Sequence, residues 1–238
     1  MPSSAQSRHI EDNSFLIEEA YNQERGVVQH ISSWQRSLGS ASWLFTFTQE
    51  WPLGTQRHQL SYTIPFQRLE SPSRRTGLGD AAVNYRYQLL PARGRVALAP
   101  RLAVVLPTGR EALGLGAGTV GVQLSVPLSV PLRSSLVSHW NAGLTALPRT
   151  TNYNLGAGMI WLARPNFNVM CELVWARDNS GGEFVALNPG IRWAHNFASG
   201  LQIVPGIAFP VGMGPSRGKQ AVFLYLSFEH RFRPENTP

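Results

Sequence analysis

Two residues near the N-terminus are of types that could carry out nucleophilic hydrolysis. His30 and Ser32 stand two positions apart, so their side chains would share one face of a β-strand. A serine nucleophile needs a base within hydrogen-bond reach and a third group that orients the base. The sequence offers no such third group. A membrane-embedded lipid hydrolase is therefore only the third functional hypothesis, and we expect His30 to be a lumen or periplasmic-rim histidine.

Other signatures of catalysis and cofactor binding are absent from the sequence. It contains no GxSxG elbow, no HExxH pair and no phosphate-binding loop that leads into a helix. Cys171 is the only cysteine, which excludes an internal disulfide and a cysteine-based metal site. We expect no enzyme activity, no catalytic residues, no cofactor and no metal.

A set of ionisable residues falls on the polar side of an alternating pattern. Charges placed across a pore can form a transverse field that filters polar solutes. Alternatively, these side chains pair with one another and close a narrow barrel. The predicted pore-lining residues are Asp80, Arg86, Arg101, Glu172, Arg192, Glu229 and Arg231.

Small residues share that polar face and would leave room inside a barrel. They favour a passage slightly, although glycine in a strand also marks bends. His139 and Asn141 are predicted to add polarity to the same lumen. The small residues are Gly143, Gly156, Gly158, Gly190 and Gly206.

The strands that would position these residues are clearest at 119–132, TVGVQLSVPLSVPL. Apolar residues take every second place there, which is the period of a β-strand with two different faces. A tilted strand of about ten residues is long enough to cross a bilayer. Similar alternation recurs about twelve times between residues 27 and 233, and an even number suits a closed bacterial barrel.

The composition agrees with a membrane barrel. Charged residues make up 15% of the 238 residues, against roughly 25% in ordinary soluble domains. No apolar run is long enough for a transmembrane helix. The net charge is +7, but the arginines are spread along the chain, so we expect no nucleic-acid partner. The predicted fold is all-β, a closed antiparallel up-and-down transmembrane β-barrel of about 12 strands.

Loops and tryptophans add two further indications. Long glycine-rich connections alternate with tight turns, as in barrels with long external loops and short periplasmic turns. Six tryptophans lie on the apolar face, most of them near a strand end, as in an aromatic girdle. They are Trp43, Trp51, Trp140, Trp161, Trp175 and Trp193.

Three regions are predicted on this basis. Residues 1–26 form an N-terminal periplasmic segment, partly disordered or plug-like; residues 27–233 form the barrel; residues 234–238 form a C-terminal tail. The first 14 residues, MPSSAQSRHIEDNS, have no apolar signal core. Either a signal peptide is missing from this sequence or the protein is not exported.

Several short motifs resemble an outer-membrane family labelled for the MetA pathway of phenol degradation. They are GLGD at 77–80, LPTG at 106–109 with GLGAG after it, and FLIEEAYNQE with VVQHI within 15–31. The resemblance implies an outer-membrane β-barrel that moves small aromatic or apolar compounds. It supplies no catalytic motif.

The leading hypothesis is therefore a bacterial outer-membrane channel or transporter for passive passage of small molecules. Its expected partners are outer-membrane lipid and a small-molecule solute, with the oligomeric state left open. The alternative is a structural or ligand-holding barrel without an open pore. A soluble lipocalin-like barrel has the same period with its apolar face turned inward, and periodicity alone does not separate the two.

Overall fold

The chain folds into one β-sheet in a computed structural model that describes residues 10, 12–91 and 95–232. The predicted tail at 234–238 lies outside the described residues. Two short 3₁₀ turns occupy Glu111–Leu113 and Gly214–Ser216. The strands are β1 (Val27–Ser37), β2 (Trp43–Leu53), β3 (Thr55–Leu69), β4 (Arg75–Leu78), β5 (Ala81–Tyr87), β6 (Ala97–Leu98), β7 (Arg101–Leu106), β8 (Gly121–Arg133), β9 (Leu136–Leu147), β10 (Thr150–Arg164), β11 (Phe167–Asp178), β12 (Glu183–Trp193), β13 (His195–Asn196), β14 (Gln202–Ala208), β15 (Val211–Gly212) and β16 (Ala221–Arg231).

Antiparallel pairing runs from strand to strand and then closes the sheet. β16 pairs with β1 along its full length, from Val27 opposite Arg231 to Ser37 opposite Ala221. The four short strands β4, β6, β13 and β15 extend the wall, which leaves twelve main strands around the barrel. This confirms the predicted closed antiparallel barrel of about twelve strands.

The barrel is apolar outside and polar inside. Leu124, Trp140 and Trp161 are 46%, 52% and 54% exposed on the outer face. Among the large side chains with almost no exposure, in contrast, are Gln29, Gln59, Glu172, Asn188 and Arg192. Because a water-soluble barrel needs the opposite arrangement, a lipocalin-like protein is excluded. Among the described residues, no helix is long and apolar enough to cross a membrane.

Residues 12–24, here called the inner segment, precede β1 and run through the barrel interior. They contain neither helix nor strand. Phe15 packs against Phe223 and Tyr225 of β16, with ring centroids 5.4 and 5.3 Å apart. The main apolar cluster of the interior also includes Phe15, so the inner segment supplies apolar core to a lumen that is otherwise polar.

Candidate functional site

A single carboxylate of the wall binds the backbone of the inner segment. Glu172 lies in the middle of β11 and is 2% exposed. Its Oε1 accepts hydrogen bonds from the N–H groups of Phe15, Leu16 and Ile17 at 3.0, 3.0 and 3.2 Å. Three consecutive N–H donors that converge on one anion form a strong, charge-assisted arrangement.

Further side chains of the wall accept the next backbone N–H groups. The Glu18 N–H donates to Asn141 Oδ1 at 2.9 Å, and the Ala20 N–H donates to Ser129 Oγ at 2.9 Å. Closer to the end of the barrel where Gly54 joins β2 to β3, here called the tight-turn end, the N–H groups of Asn22 and Gln23 donate to side chains of the wall. Their acceptors are Gln88 Oε1 and Gln59 Oε1, at 2.9 and 2.7 Å. A buried backbone without secondary structure must find such partners, and here the lumen provides them.

Glu18 forms ion pairs with two arginines of neighbouring strands. Its Oε2 lies 2.6 Å from Arg86 Nη2, and its Oε1 lies 2.6 Å from Arg101 Nη2. Burial alone would raise the pKa of Glu18, but the guanidinium groups of Arg101 and Arg86 outweigh it and lower that pKa to about 2. Glu18 therefore stays ionised at any physiological pH.

Glu19 forms a second ionic contact on the other side of the lumen. Its Oε1 lies 3.0 Å from Arg192 Nη1 and accepts from Ser14 Oγ at 3.0 Å. The same Arg192 nitrogen donates to the carbonyl oxygens of Asp12 and Asn13 at 2.9 and 2.8 Å. Both charged groups are at least 95% buried, so this ion pair supplies charge compensation that neither side chain can obtain from water.

Asp12 anchors the first described part of the inner segment to β1 and β16. Its carboxylate accepts from Tyr225 Oη at 2.6 Å and also contacts Ser227 and Gln29. Burial raises the pKa of Asp12 above its usual range, although Arg192 and the two hydroxyls of β16 oppose the shift.

Glycines in the wall make room for the inner segment. A Cβ at Gly158 would lie 2.7 Å from Ile17 Cδ1, and a Cβ at Gly206 would lie 2.6 Å from Phe15 Cζ. In the same way, a Cβ at Gly156 would come too close to Ile17, and a Cβ at Gly190 would come too close to Phe15. These glycines were predicted to favour a passage, but the space that they leave is filled by two side chains of the inner segment.

Beside the inner segment the lumen keeps a cavity of about 310 Å³. Its wall comes from β1, β2, β3, β5, β7, β8 and β16, and residues 13–18 of the inner segment form its other side. Hydroxyl and amide side chains dominate the wall. They are Ser33, Thr46, Thr48, Ser61, Thr63, Asn84 and Gln123.

Four of the seven predicted pore-lining residues bind the inner segment through ion pairs or hydrogen bonds. Arg86 and Arg101 bind Glu18, Glu172 binds residues 15–17, and Arg192 binds Glu19 and two carbonyl groups. Arg231 lies 3.9 Å from Glu24 at the tight-turn end. Their role in lining a pore stays a prediction.

The two remaining predicted residues are Glu229 and Asp80. Glu229 stands between Gln29 of β1 and Gln202 of β14 in the register of the sheet. Asp80 sits outside the strands, where its carboxylate accepts from the N–H groups of Gly109 and Ala117 at 2.9 and 2.6 Å. Asp80 therefore holds the loop after β7 in place.

His30 and Ser32 lie on the outer face of the barrel. In the register, they oppose Phe228 and Leu226, and Leu226 is 43% exposed. The His30 ring stacks on Phe228 and His230, with centroids 4.6 and 5.3 Å apart. His30 is thus no lumen histidine, whereas His139 and Asn141 do face the lumen, where His139 Nδ1 bonds to Ser129 Oγ at 2.8 Å.

Gln49 occupies the position across from His30 in β2 and is the nearest candidate for an orienting group. Its Oε1 already accepts from Tyr62 Oη at 2.8 Å. The described contacts therefore give no Ser–His–orienter chain. Among the described residues, no group of three or more His, Cys, Asp or Glu side chains could hold a metal ion.

The acidic residues of the inner segment are the part of the site that sequence reasoning missed. Asp12, Glu18 and Glu19 carry most of its ionic contacts. One signal for them exists in the sequence. The run FLIEEAYNQE pairs acidic with apolar residues, while the predicted lumen residues include four arginines against three acidic side chains.

Comparison with known proteins identifies only the fold. No protein-family model matches the chain, and no curated protein matches it either. Solved structures do match it over most of its length. An outer-membrane channel from Pseudomonas putida F1 has a TM-score of 0.60 and 15% identity, with 90% of this chain and 98% of that chain covered.

Two porins are similar at the same level. The KdgM porin, in complex with disordered oligogalacturonate, has a TM-score of 0.56 and 9% identity over 87% of this chain and 99% of that chain. The NanC porin has a TM-score of 0.56 and 7% identity over 86% of this chain and 100% of that chain. The chain thus has the barrel fold found in outer-membrane channels, and the phenol-pathway label stays a prediction.

Proposed function

We propose that this protein is a bacterial outer-membrane channel for passive passage of small molecules, with its lumen narrowed by its own N-terminal segment. The observation that carries the proposal is the inverted barrel, in which apolar side chains cover the outside and charged and amide groups fill the inside. A surface of this kind is stable in hydrocarbon, and a polar lumen is where a solute can replace its water contacts. The three similar structures described above, all of them channels or porins, support it.

The family resemblance is the only basis for aromatic or apolar solutes. A transport assay should therefore include an aromatic or apolar compound as one of its test solutes. The KdgM porin forms a complex with an oligogalacturonate, so an acidic sugar is a second arm.

A barrel without an open path is the alternative, and the inner segment gives it a specific basis. Four side chains of the wall bind the inner segment within residues 12–19 and so oppose its release from the lumen. They are Glu172, Arg86, Arg101 and Arg192. The two functions differ in whether the cavity beside the segment connects both ends of the barrel.

Planar-bilayer recording of the full chain tests the proposal. A channel gives discrete conductance steps, which should grow in a Glu18→Gln variant because the segment then loses both ion pairs. Absence of steps in both proteins would favour the barrel without an open path.

Membrane placement needs its own measurement. Spin labels at Leu124 and Leu224 on the outer face should be accessible to oxygen and inaccessible to a water-soluble relaxation agent. A label at Ser180, an exposed residue of the turn after β11, is the water-accessible control. Aqueous exposure at both outer positions would contradict the membrane placement.

A further inference from the structure

The cavity beside the inner segment presents hydroxyl groups in cross-strand pairs. Ser33 Oγ lies 2.6 Å from Thr46 Oγ1, and Thr48 Oγ1 lies 2.9 Å from Thr63 Oγ1. Each pair has two hydroxyl hydrogens, and one of them is used in the hydrogen bond between the two side chains. One O–H donor and several lone pairs per pair therefore remain for another molecule.

The charged groups of the cavity balance one another. Two carboxylate side chains, Glu18 and Glu50, stand against two guanidinium groups, Arg86 and Arg101. Glu18 occupies both arginines, and Glu50 Oε2 accepts from Gln59 Nε2 at 2.8 Å. Both guanidinium groups already have Glu18 as their counter-ion, and an anionic solute would have to approach the carboxyl groups of Glu18 and Glu50 as well. A neutral solute avoids this cost.

The opposite side of the cavity is partly apolar. Phe15, Leu16 and Ile17 of the inner segment and Ile31 of β1 line it. A neutral sugar ring has hydroxyls at its edge and C–H groups on its face, so it can satisfy both sides together. A phenol has one hydroxyl and would leave most of the hydroxyl wall without partners, which costs free energy for each unmatched polar group.

We propose that this cavity binds a small, neutral, hydroxyl-rich solute of about monosaccharide size, in preference to sugar acids and to phenols. Its volume of about 310 Å³ lies at the small end of the range for ligand sites. The inference rests on the proposed channel function, since it names the class of solute that the lumen selects. Binding can nevertheless be measured apart from transport.

The test is a ligand-observed NMR titration of the full chain in a detergent without a sugar headgroup. Glucose, glucuronate and phenol are the three probes. Glucose should bind, and glucuronate, which has the same ring with a carboxylate in place of the hydroxymethyl group, should bind about tenfold more weakly. Phenol should bind more weakly than glucose.

A double variant, Thr48→Val with Thr63→Val, removes one hydroxyl pair and keeps the shape of both side chains. Glucose should bind about tenfold more weakly to it, because two hydrogen-bonding groups are lost. The matched control is Thr151→Val, which makes the same change on the outer face and should leave glucose binding unchanged. The Thr48→Val single variant provides a milder change if the double variant does not fold.

Each outcome decides the inference. The inference would be overturned if glucuronate or phenol bound as tightly as glucose, or if the changes at Thr48 and Thr63 left glucose binding unaltered. The channel function fails separately, through absence of conductance while glucose binding persists. Conductance without a preference for glucose would remove this inference alone.

Discussion

Two sides of the lumen are built from the same alternating strands but carry different inward residues. On β10, β12 and β14, glycines such as Gly158 and Gly206 face inward and contact the inner segment at close range. On β1, β2 and β3, Ser33, Thr46 and Thr63 face inward and border a cavity. The inner segment packs against the side of the wall that has glycines. On the side that has small hydroxyl side chains, space for a solute remains.

The difference lies in what each side can bind. Glycine exposes backbone and offers close packing to Phe15 and Ile17, which adds apolar contact in a polar lumen. Hydroxyl side chains cannot pack against those residues without losing hydrogen bonds, so they favour water or a polar solute. The inner segment is thus held asymmetrically, by ion pairs at its centre and by glycine contacts on one side.

Loss of the central ion pairs should have the largest effect on this arrangement. Glu18→Gln leaves Arg86 and Arg101 without their carboxylate, which should weaken docking of the segment by about 3–5 kcal/mol. Hydrogen exchange of the amides of residues 15–18 measures this change. Glu111→Gln, at an exposed loop position, is the control, and equal protection in both variants would contradict the role of Glu18.

Removal of the charge on Glu172 should have the next largest effect. Glu172→Gln keeps an oxygen acceptor but turns three charge-assisted hydrogen bonds into neutral ones, at a cost of about 3 kcal/mol. Exchange at Phe15, Leu16 and Ile17 should accelerate more than exchange at Gln23. Uniform acceleration along the segment would mean that Glu172 acts on the whole barrel.

Acid should release the segment only well below neutral pH. Glu18 has a lowered pKa of about 2 when docked, so its contribution is complete above the free value of 4.5 and is lost as the pH falls toward 2. About 2 kcal/mol should be gone at pH 3. The measurement is exchange protection against pH.

The contribution of Asp12 to docking has the opposite pH dependence. Burial raises the pKa of Asp12, so its contribution is present at low pH and is lost as the pH rises through that pKa. The titration is therefore cleaner in an Asp12→Asn background. A midpoint near neutral pH in that background would contradict the assignment to Glu18.

A methyl group on the glycine side should have the smallest effect of the four. Gly158→Ala places a Cβ 2.7 Å from Ile17 Cδ1, the end of a flexible side chain, and should cost about 1 kcal/mol of docking. Adding Ile17→Val removes the contacted atom and should restore most of the protection. Gly39→Ala, where no atom lies within 4 Å, is the control.

Much of the wall could be predicted from the sequence, and the lumen only in part. The alternation at Thr119–Leu132 matches β8, and its Leu124 and Val126 lie on the outer face. Asp80 lies just outside β5, because a residue at a strand end belongs equally to strand and loop in a periodic pattern, and its role in lining a pore stays a prediction. His30 was predicted to lie in the lumen or at the periplasmic rim, and its alternation with Ile31 excludes the lumen.

The sequence by itself determined that the chain forms about twelve strands, each with one apolar face, because a period of two residues is a local property of the chain. Only the tertiary structure decided what fills the lumen. Glu172 binds Phe15 across 157 positions of sequence, and the glycines leave space for side chains that are also distant in the chain. Contacts of this kind depend on how strands close around the N-terminal segment, and no local pattern records them.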